Sequence, residues 1–340
     1  MNIRENVPIS TLTTMRLGGP AKFVIEITSA DDCAEAFEFV KEKGLPFYFL
    51  GAGANSLGKD EGFDGALIIN KIMGLKILTE SENELRITVN GGVVWDDFVA
   101  FVCEKGFSGV EAMSKIPGTV AAAPVQNIGA YGEEAKDTLE SVEVYDSLLD
   151  EYKEIKAEDC DFAYRHSIFN SGKDKGRYFI LNATFKFAEK QLKQPFYNSL
   201  QSYLDEHNIK DYSPKSIREA VIKIRNQKLP DPAKEASAGS FFKNIILDHS
   251  PKNQDIPFRE TKDGKYKINT GWLLEHAGLK GQTFHGFKVS DKAALILINE
   301  SAKSYKDLEQ AVTEIQQIVK DKYDLTLEPE PVKIEEVNHD

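Results

Sequence analysis

The sequence predicts an α+β fold divided into two or three domains. Three observations lead there. Strand-like and helix-like hydrophobic periodicities interleave along the chain. Its 340 residues exceed what one core usually holds. A polar stretch, Lys190–Tyr212, is broken by Pro195. The expected division is a first part of residues 1–190 in two lobes (about 1–70 and 71–190), a connecting segment 191–212, and a smaller C-terminal α/β part, 213–340.

In order, Phe23–Ile27 is a short β-rich run. Ser29 reads as a helix N-cap with Asp32 at the third helical position. Ala36, Phe37, Phe39 and Val40 form that helix's apolar stripe, and Gly44 is its C′ residue. Pro46–Leu50 is a compact apolar strand ending in Gly51-Ala52-Gly53-Ala54-Asn55, and Ala66–Ile69 is another strand. Leu85–Val89 alternates up to Gly91-Gly92. Trp95, Phe98, Val99 and Val102 stand at i, i+3, i+4 and i+7 of a helix ending at Gly106. Strands resume at Val142–Tyr145 and Tyr178–Phe187. Ser213 before Pro214 starts a helix with Ile217, Val221 and Ile224 on one face, which Pro230 stops. Next come a helix near Trp272, a buried strand Ala294–Ile298, and a long helix after Ser304. That helix buries Leu308, Ala311, Val312, Ile315, Ile318 and Val319, and a strand Leu325–Glu328 follows it.

Charge and composition exclude several function classes. With 54 acidic against 42 basic residues the net charge is −12, which argues against a nucleic-acid or anionic-membrane partner. A small anionic ligand remains open, since backbone amides and a few local cations suffice. Cys33, Cys103 and Cys160 are scattered, as expected of reduced thiols in the cytoplasm. The six histidines form no HxxxH or Cys/His cluster, so no metal is expected. MNIRENVPIS has no apolar h-region, and runs such as Ala293–Ile298 are only strand length. The expectation is a soluble, cytoplasmic protein.

Two loops stand out. Glycines in Gly51–Asn55, directly after a strand, let backbone amides close on a phosphate. The segment is not GxGxxG, since Ser56 stands at the next position, and a tight turn explains it as well. Ile116–Gly132 is almost devoid of charge yet follows neither period. Small side chains there permit close approach to a large planar or phosphorylated ligand, and Gln126, Asn127 and Tyr131 add polar groups. A buried connection between domains is the alternative.

Both loops, in this order and spacing, resemble the UDP-N-acetylenolpyruvoylglucosamine reductase family (UDP-N-acetylmuramate dehydrogenase), a branch of the vanillyl-alcohol-oxidase-like, PCMH-type FAD proteins. The resemblance continues through Tyr164-Arg165-His166-Ser167-Ile168-Phe169 and Lys228-Leu229-Pro230-Asp231-Pro232. It extends to Ala238-Gly239-Ser240-Phe241-Phe242-Lys243-Asn244 and Leu327-Glu328-Pro329-Glu330, so it spans about Thr13 to Glu330. It implies an FAD held by the two N-terminal lobes, at Gly51, Gly53, Ala54, Asn55 and Ser56 and at Gly118, Thr119, Gln126, Asn127, Gly129 and Ala130. It also implies a UDP-sugar on the C-terminal domain, NADPH as co-substrate, and a monomeric enzyme of peptidoglycan precursor synthesis.

The site residues follow from the same resemblance. Ser240 stands where the family places its proton donor, although without the motif a serine capping a turn after Gly239 is the plainer reading. Arg165 and Glu330 match the pair that stabilises an enolate-like intermediate, Arg165 by its charge and Glu330, if protonated, by donating a hydrogen bond. A structural ion pair for Arg165 and a solvated acid for Glu330 are the alternatives. Lys228 and Asn244 match substrate contacts, with Arg225 a further phosphate contact. Lys228 also suits the last turn of a helix on dipole grounds alone. Tyr197 resembles the mobile-loop tyrosine of one subclass, which closes over the UDP.

The chain departs from the pattern in places. Ala54 stands where Ser is usual, and Ala121-Ala122-Ala123 where Gly or Ser is common. Pro331 is an extra residue, leaving open whether Lys333 takes the place of a basic residue beyond the glutamate. Two other readings stay open: an FAD oxidoreductase of the same fold acting on another small molecule, and a UDP-sugar binding protein without flavin.

Overall fold

A computed structural model describes residues 1–188, 192, 194, 196–261 and 264–336. The expected boundary at residue 190 and Pro195 lie outside the described residues.

The first lobe carries β1 (Asn2–Pro8), β2 (Pro20–Ile27), α1 (Asp32–Glu42), β3 (Phe47–Phe49), β4 (Ser56–Leu57) and β5 (Phe63–Asn70). Its sheet runs β1-β2-β5-β3, antiparallel at β1 and parallel elsewhere. Cys33, Ala36, Phe37 and Val40 turn the amphipathic face of α1 onto this sheet. The helix begins later than the Ser29 cap implies. Asp32 itself closes the end, its carboxylate accepting the amides of Thr28 (2.7 Å) and Ser29 (3.0 Å), so Ser29 only supports it. Gly44 ends α1 at φ +59, as its position suggests.

The second lobe holds β6 (Leu75–Glu80), β7 (Glu84–Asn90), α2 (Trp95–Glu104), a small hairpin of β8 (Gly129–Ala130) and β9 (Glu133–Glu134), then β10 (Leu139–Asp146), β11 (Glu151–Lys156) and β12 (Tyr178–Ala188). An antiparallel sheet β11-β10-β12-β7-β6 buries one face against α2. Trp95, Phe98, Phe185 and Phe187 pack there with no more than 1% exposure, so truncating Trp95 to alanine costs about 3–5 kcal/mol.

The segment read as a polar connection contains a helix, α3 (Asn198–Glu206), that packs against α4 (Pro214–Lys228). Its stripe of Leu200, Tyr203 and Leu204 is short and sits among polar residues, which hid it from a periodicity reading. Ser213 caps α4, accepting the amide of Ser216 at 3.3 Å. The helix also leans on the second lobe: Arg218 grips Asp96 of α2 at 2.6 Å.

The C-terminal part contains β13 (Ala236–Ser240), β14 (Ile245–Leu247), β15 (Phe258–Glu260), β16 (Tyr266–Ile268), α5 (Thr270–His276), β17 (Thr283–Phe284), β18 (Phe287–Val289), β19 (Ile296–Asn299), α6 (Tyr305–Tyr323) and β20 (Val332–Lys333). Sheet β13-β19-β18-β17 packs on α6, and β14-β16-β15 forms a second small sheet. The expected strand Leu325–Glu328 does not form. Instead Glu328 and Glu330 pair by single backbone bonds with Lys243 and Phe241, around a bridge between Pro329 and Phe242. The chain then returns to the first lobe, where β20 runs parallel to β4 and Ile334 joins the first lobe's core.

Candidate active site

The lobes and the C-terminal part enclose a cleft of about 2140 Å³. That is roughly twice the ~1,000 Å³ upper end of ordinary small-molecule pockets, enough for two ligands side by side.

One wall is the loop after β3. Gly53 sits at φ +66, and a Cβ there would stand 2.0 Å from the Leu12 carbonyl oxygen, so only glycine fits. No amide from Gly51 to Asn55 donates to an acceptor among the described residues. The loop lines the cleft, so amides left without a protein acceptor there are available to an anion. The second loop lies against the first: a Cβ on Gly51 would come within 3.3 Å of the Ala122 methyl, and Asn55 Nδ2 donates to Gln126 Oε1 at 3.0 Å. Ala121 and Ala122 line the cleft, whereas Ala123 is fully buried in the second lobe's core.

A further part of the lining gathers Ser240, Arg165, Glu330 and Asn244. Ser240 ends β13, exposed to the cleft beside Gly239, where the strand shifts register against β19. Thr14 fixes this strand to the first loop: its Oγ1 donates to Ser237 O (2.6 Å), while its amide donates to Gly53 O (3.1 Å). Glu330 is delivered by the returning C-terminal chain, its amide on Phe241 O (2.8 Å) and Val332 N on Asn55 O (2.9 Å). Its Oε1 accepts from Arg165 Nε at 2.9 Å, and Arg165 Nη2 donates to Gly129 O at 3.2 Å. Next to them, Asn244 Oδ1 accepts the Thr270 amide (3.1 Å), which leaves Nδ2 directed at the Tyr164 hydroxyl, 3.5 Å away. Lys267 Nζ lies 3.9 Å from the Tyr164 ring centre, and burial, then the neighbouring Arg165, lowers its proton affinity.

The third wall is α4 with the start of α3. Arg225 reaches Lys115 O through Nη2 (3.3 Å), while its buried Nε has no partner among the described residues. Burial lowers its proton affinity, against the opposing influence of Tyr131. Lys228 is exposed at the cleft edge. Tyr197 precedes α3, 48% exposed, with its ring edge-on to Tyr131 at 6.0 Å.

Residues 21–148 match the model of an FAD binding domain, and residues 231–334 match that of the C-terminal domain of UDP-N-acetylenolpyruvoylglucosamine reductase. The reductase of that name from Ralstonia nicotianae is 35% identical over 338 residues, covering 96% of this chain and 98% of the relative. That from Amoebophilus asiaticus is 35% identical over 336 residues, covering 97% and 98%. The chain belongs to the UDP-N-acetylenolpyruvoylglucosamine reductase family. A crystal structure of the Thermus caldophilus reductase shares the fold, with a TM-score of 0.66 at 22% identity over 98% of this chain and 99% of that one. The α+β architecture and FAD binding of the UDP-N-acetylenolpyruvoylglucosamine reductase family therefore hold for this chain.

On this reductase-family fold, the cleft gathers Ser240, Arg165, Glu330, Tyr197, Lys228, Asn244 and Arg225 with Gly51, Gly53, Ala54, Asn55, Ser56, Gly118, Thr119, Gln126, Gly129 and Ala130. Asn127 is a correction. It is fully buried at φ +44 and does not line the cleft. Its Nδ2 is spent on Glu134 Oε2 (3.0 Å) and Ala163 O (3.2 Å), and its Oδ1 on the Lys136 amide (3.1 Å). A polar residue in an apolar loop suggests a ligand contact, but here its side chain braces the loop. Lys333 is settled as well: it turns away to Glu309 (3.7 Å) and the Tyr305 ring, not into the cleft.

Thr14, Tyr164 and Lys267 were missed. Tyr164 was visible as the first residue of the YRHSIF segment. Thr14 and Lys267 gave no signal, because their place depends on contacts between distant parts of the chain.

Proposed function

We propose that this chain reduces UDP-N-acetylglucosamine enolpyruvate to UDP-N-acetylmuramate with NADPH, in the cytoplasm and as a monomer, supplying peptidoglycan precursors. One observation carries this reading: Ser240 and the Arg165–Glu330 pair line the same cleft as the two glycine- and alanine-rich loops. In the division proposed here, residues 1–190 hold the cofactor, 213–340 the UDP-sugar, and 191–212 present Tyr197 as the closing residue.

The residues fit FAD. The free amides of 51–55 and the small side chains of Ala121 and Ala122 make a wall that backbone can present to a pyrophosphate and a flat ring. When bound, FAD would supply the hydride-transfer chemistry that links NADPH to the enolpyruvyl group.

The protein supplies charge and a proton. Arg165 neutralises the substrate carboxylate as it takes on enolate character, and its Glu330 contact keeps the guanidinium aimed. Ser240 Oγ gives its proton to the carbon next to that carboxylate. A hydroxyl is a weak acid, but an enolate carbon is a strong base, so an aligned donor suffices. Arg225, Lys228 and Asn244 face the diphosphate. Arg225 lines the cleft with its guanidinium steadied by Nη2 on Lys115 O, which holds its charge in place for the diphosphate.

The test is anaerobic reduction of the purified protein by NADPH, followed by the enolpyruvyl substrate, with the flavin absorption band as readout. The expected result is bleaching followed by recovery. Bleaching with no recovery on this substrate overturns the substrate assignment, and absence of any flavin after reconstitution overturns the flavoenzyme reading.

A further inference from the structure

A pair of acidic side chains that the chemistry above does not use stands beside the cleft, Glu133 on its lining and Glu111 buried behind it. Glu111 is 1% exposed, and its Oε2 accepts the amides of Gly109 (2.6 Å) and Val110 (3.1 Å). Its Oε1 is buried and receives no N–H or O–H among the described residues. The group against it is the carboxyl of Glu133 on β9, whose Oε2 accepts the amide of Ala112 at 3.0 Å.

Two neighbouring carboxyls, Glu111 sealed from water and Glu133 half-buried at the cleft, do not readily both ionise. The surroundings offer no relief. Asp137 adds negative charge, and Cys103 from α2 is a thiol that burial keeps protonated. The nearby cations are engaged elsewhere, Arg218 with Asp96 (2.6 Å) and Lys136 with Glu134 (2.9 Å). A proton on one member supplies the donor that Glu111 Oε1 otherwise lacks. Burial and the Glu111 charge push the Glu133 carboxyl up to about 9.

The position of Glu133 gives this proton a consequence. Glu133 pairs with Ala130 across the β8–β9 hairpin, and Gly129 of the same hairpin receives Arg165 Nη2 at 3.2 Å. We propose that Glu133 is a positioning residue: by sharing one proton with Glu111 it pins the 129–134 hairpin, and loss of that proton at alkaline pH releases the hairpin together with its cofactor-facing backbone and its hold on Arg165. The link to FAD rests on the proposed function, whereas the shared proton does not.

The unfolded carboxyl ionises near its ordinary value, while the folded one keeps its proton to about pH 9. Between those values the folded state binds the extra proton, so this pair's contribution to stability falls as pH rises and levels off above about pH 9. Glu133→Gln keeps a donor to Glu111 and an acceptor for Ala112 but cannot ionise. The difference in melting temperature, variant minus parent, is expected to grow steadily from about pH 5 to about pH 9 and then flatten. Infrared spectra at neutral pH should show a protonated buried carboxyl in the parent that is missing from Glu133→Gln. Glu111→Gln should remove the same pH slope, a check if the first variant folds poorly. A melting difference that stays constant with pH, or no protonated carboxyl, overturns the shared proton.

The second readout is FAD affinity, expected to weaken roughly tenfold or more between neutral and alkaline pH in the parent but not in Glu133→Gln. Equal pH profiles for the two proteins overturn the positioning role even if the shared proton is found. If neither protein binds FAD at any pH, the proposed function falls, and the stability and infrared measurements still decide the pair.

Discussion

Arg165 and Glu330, 165 positions apart in sequence, meet at 2.9 Å because the chain after α6 returns to the first lobe and lays β20 beside β4. Arg165 is held at φ +56, a conformation that a non-glycine residue keeps only when its surroundings fix it. Asn170 Nδ2 holds its carbonyl at 3.1 Å, and Gly129 O receives its other guanidinium arm. Arg165→Lys keeps the charge but loses the planar fork. The expected loss in kcat/KM is about 100- to 1000-fold. The stability loss should be only about 1 kcal/mol, because both partners keep some contact with water. Steady-state kinetics beside melting curves separate the two effects, and a rate loss of only a few-fold would remove Arg165 from the reaction.

Gly53 gives a sharper prediction for cofactor binding. Alanine there meets the Leu12 carbonyl oxygen at 2.0 Å and must also adopt φ +66. Backbone strain and overpacking together should cost about 3 kcal/mol or more. Gly53→Ala is expected to purify without flavin and to melt early. At Gly118, where a Cβ meets nothing within 4 Å, alanine faces only the φ of +136 and should be the milder change. Flavin content of the two variants checks this, and equal retention of FAD would show that the first loop's close approach is not needed.

How much of this was legible from sequence depends on where each contact lies. Local signals worked: the stripe of Trp95, Phe98, Val99 and Val102, the Ser213-Pro214 start, and the glycine ends of α1 and α2 all depend on neighbours within one or two turns. The site motifs were legible through resemblance, because segments far apart kept their spacing. Pairings across the chain were not legible. Nothing local shows that Leu325–Glu328 stays out of a sheet while Val332 enters one. Nor does it show that Asn127 turns inward or that Thr14 joins Gly53 to Ser237. The helix α3 was hidden because its apolar face is shared with α4 and amounts to a few residues in a polar run.

Asp96 predicts an acid dependence. Burial opposes its ionised form, but the Arg218 hydrogen bonds at 2.6 and 3.1 Å and the Lys115 amide outweigh that and hold its carboxyl below the ordinary value. A carboxyl depressed on folding adds stability that is fully present above its unfolded value, near pH 3.8, and is lost as pH falls through the folded one. Asp96→Asn should therefore destabilise the protein by about 1 kcal/mol at neutral pH, allowing for solvent contact, and the gap should close in acid. The pair also anchors α4, which carries Arg225 and Lys228. The same variant should raise KM for the UDP-sugar more than it lowers kcat. A gap in stability that persists unchanged through acid would show that the ion pair is not its source.

Ser240 divides the reaction into halves that can be timed separately. Its hydroxyl lines the cleft, and a proton donor to the substrate has no part in passing electrons from NADPH to flavin. Ser240→Ala should therefore leave flavin reduction at its parent rate. Reoxidation by the enolpyruvyl substrate should slow by about 100-fold or more, the usual worth of an aligned proton donor. Ser240→Cys, with a more acidic group of similar reach, should recover part of that loss. Solvent deuterium sharpens the assignment: a slower second half-reaction in the parent, with the effect altered in the alanine variant, is expected if Ser240 moves the proton. Equal slowing of both halves would mean that the substitution disturbs β13 and its Thr14 tie to the first loop, and the serine would then be a structural residue of that strand.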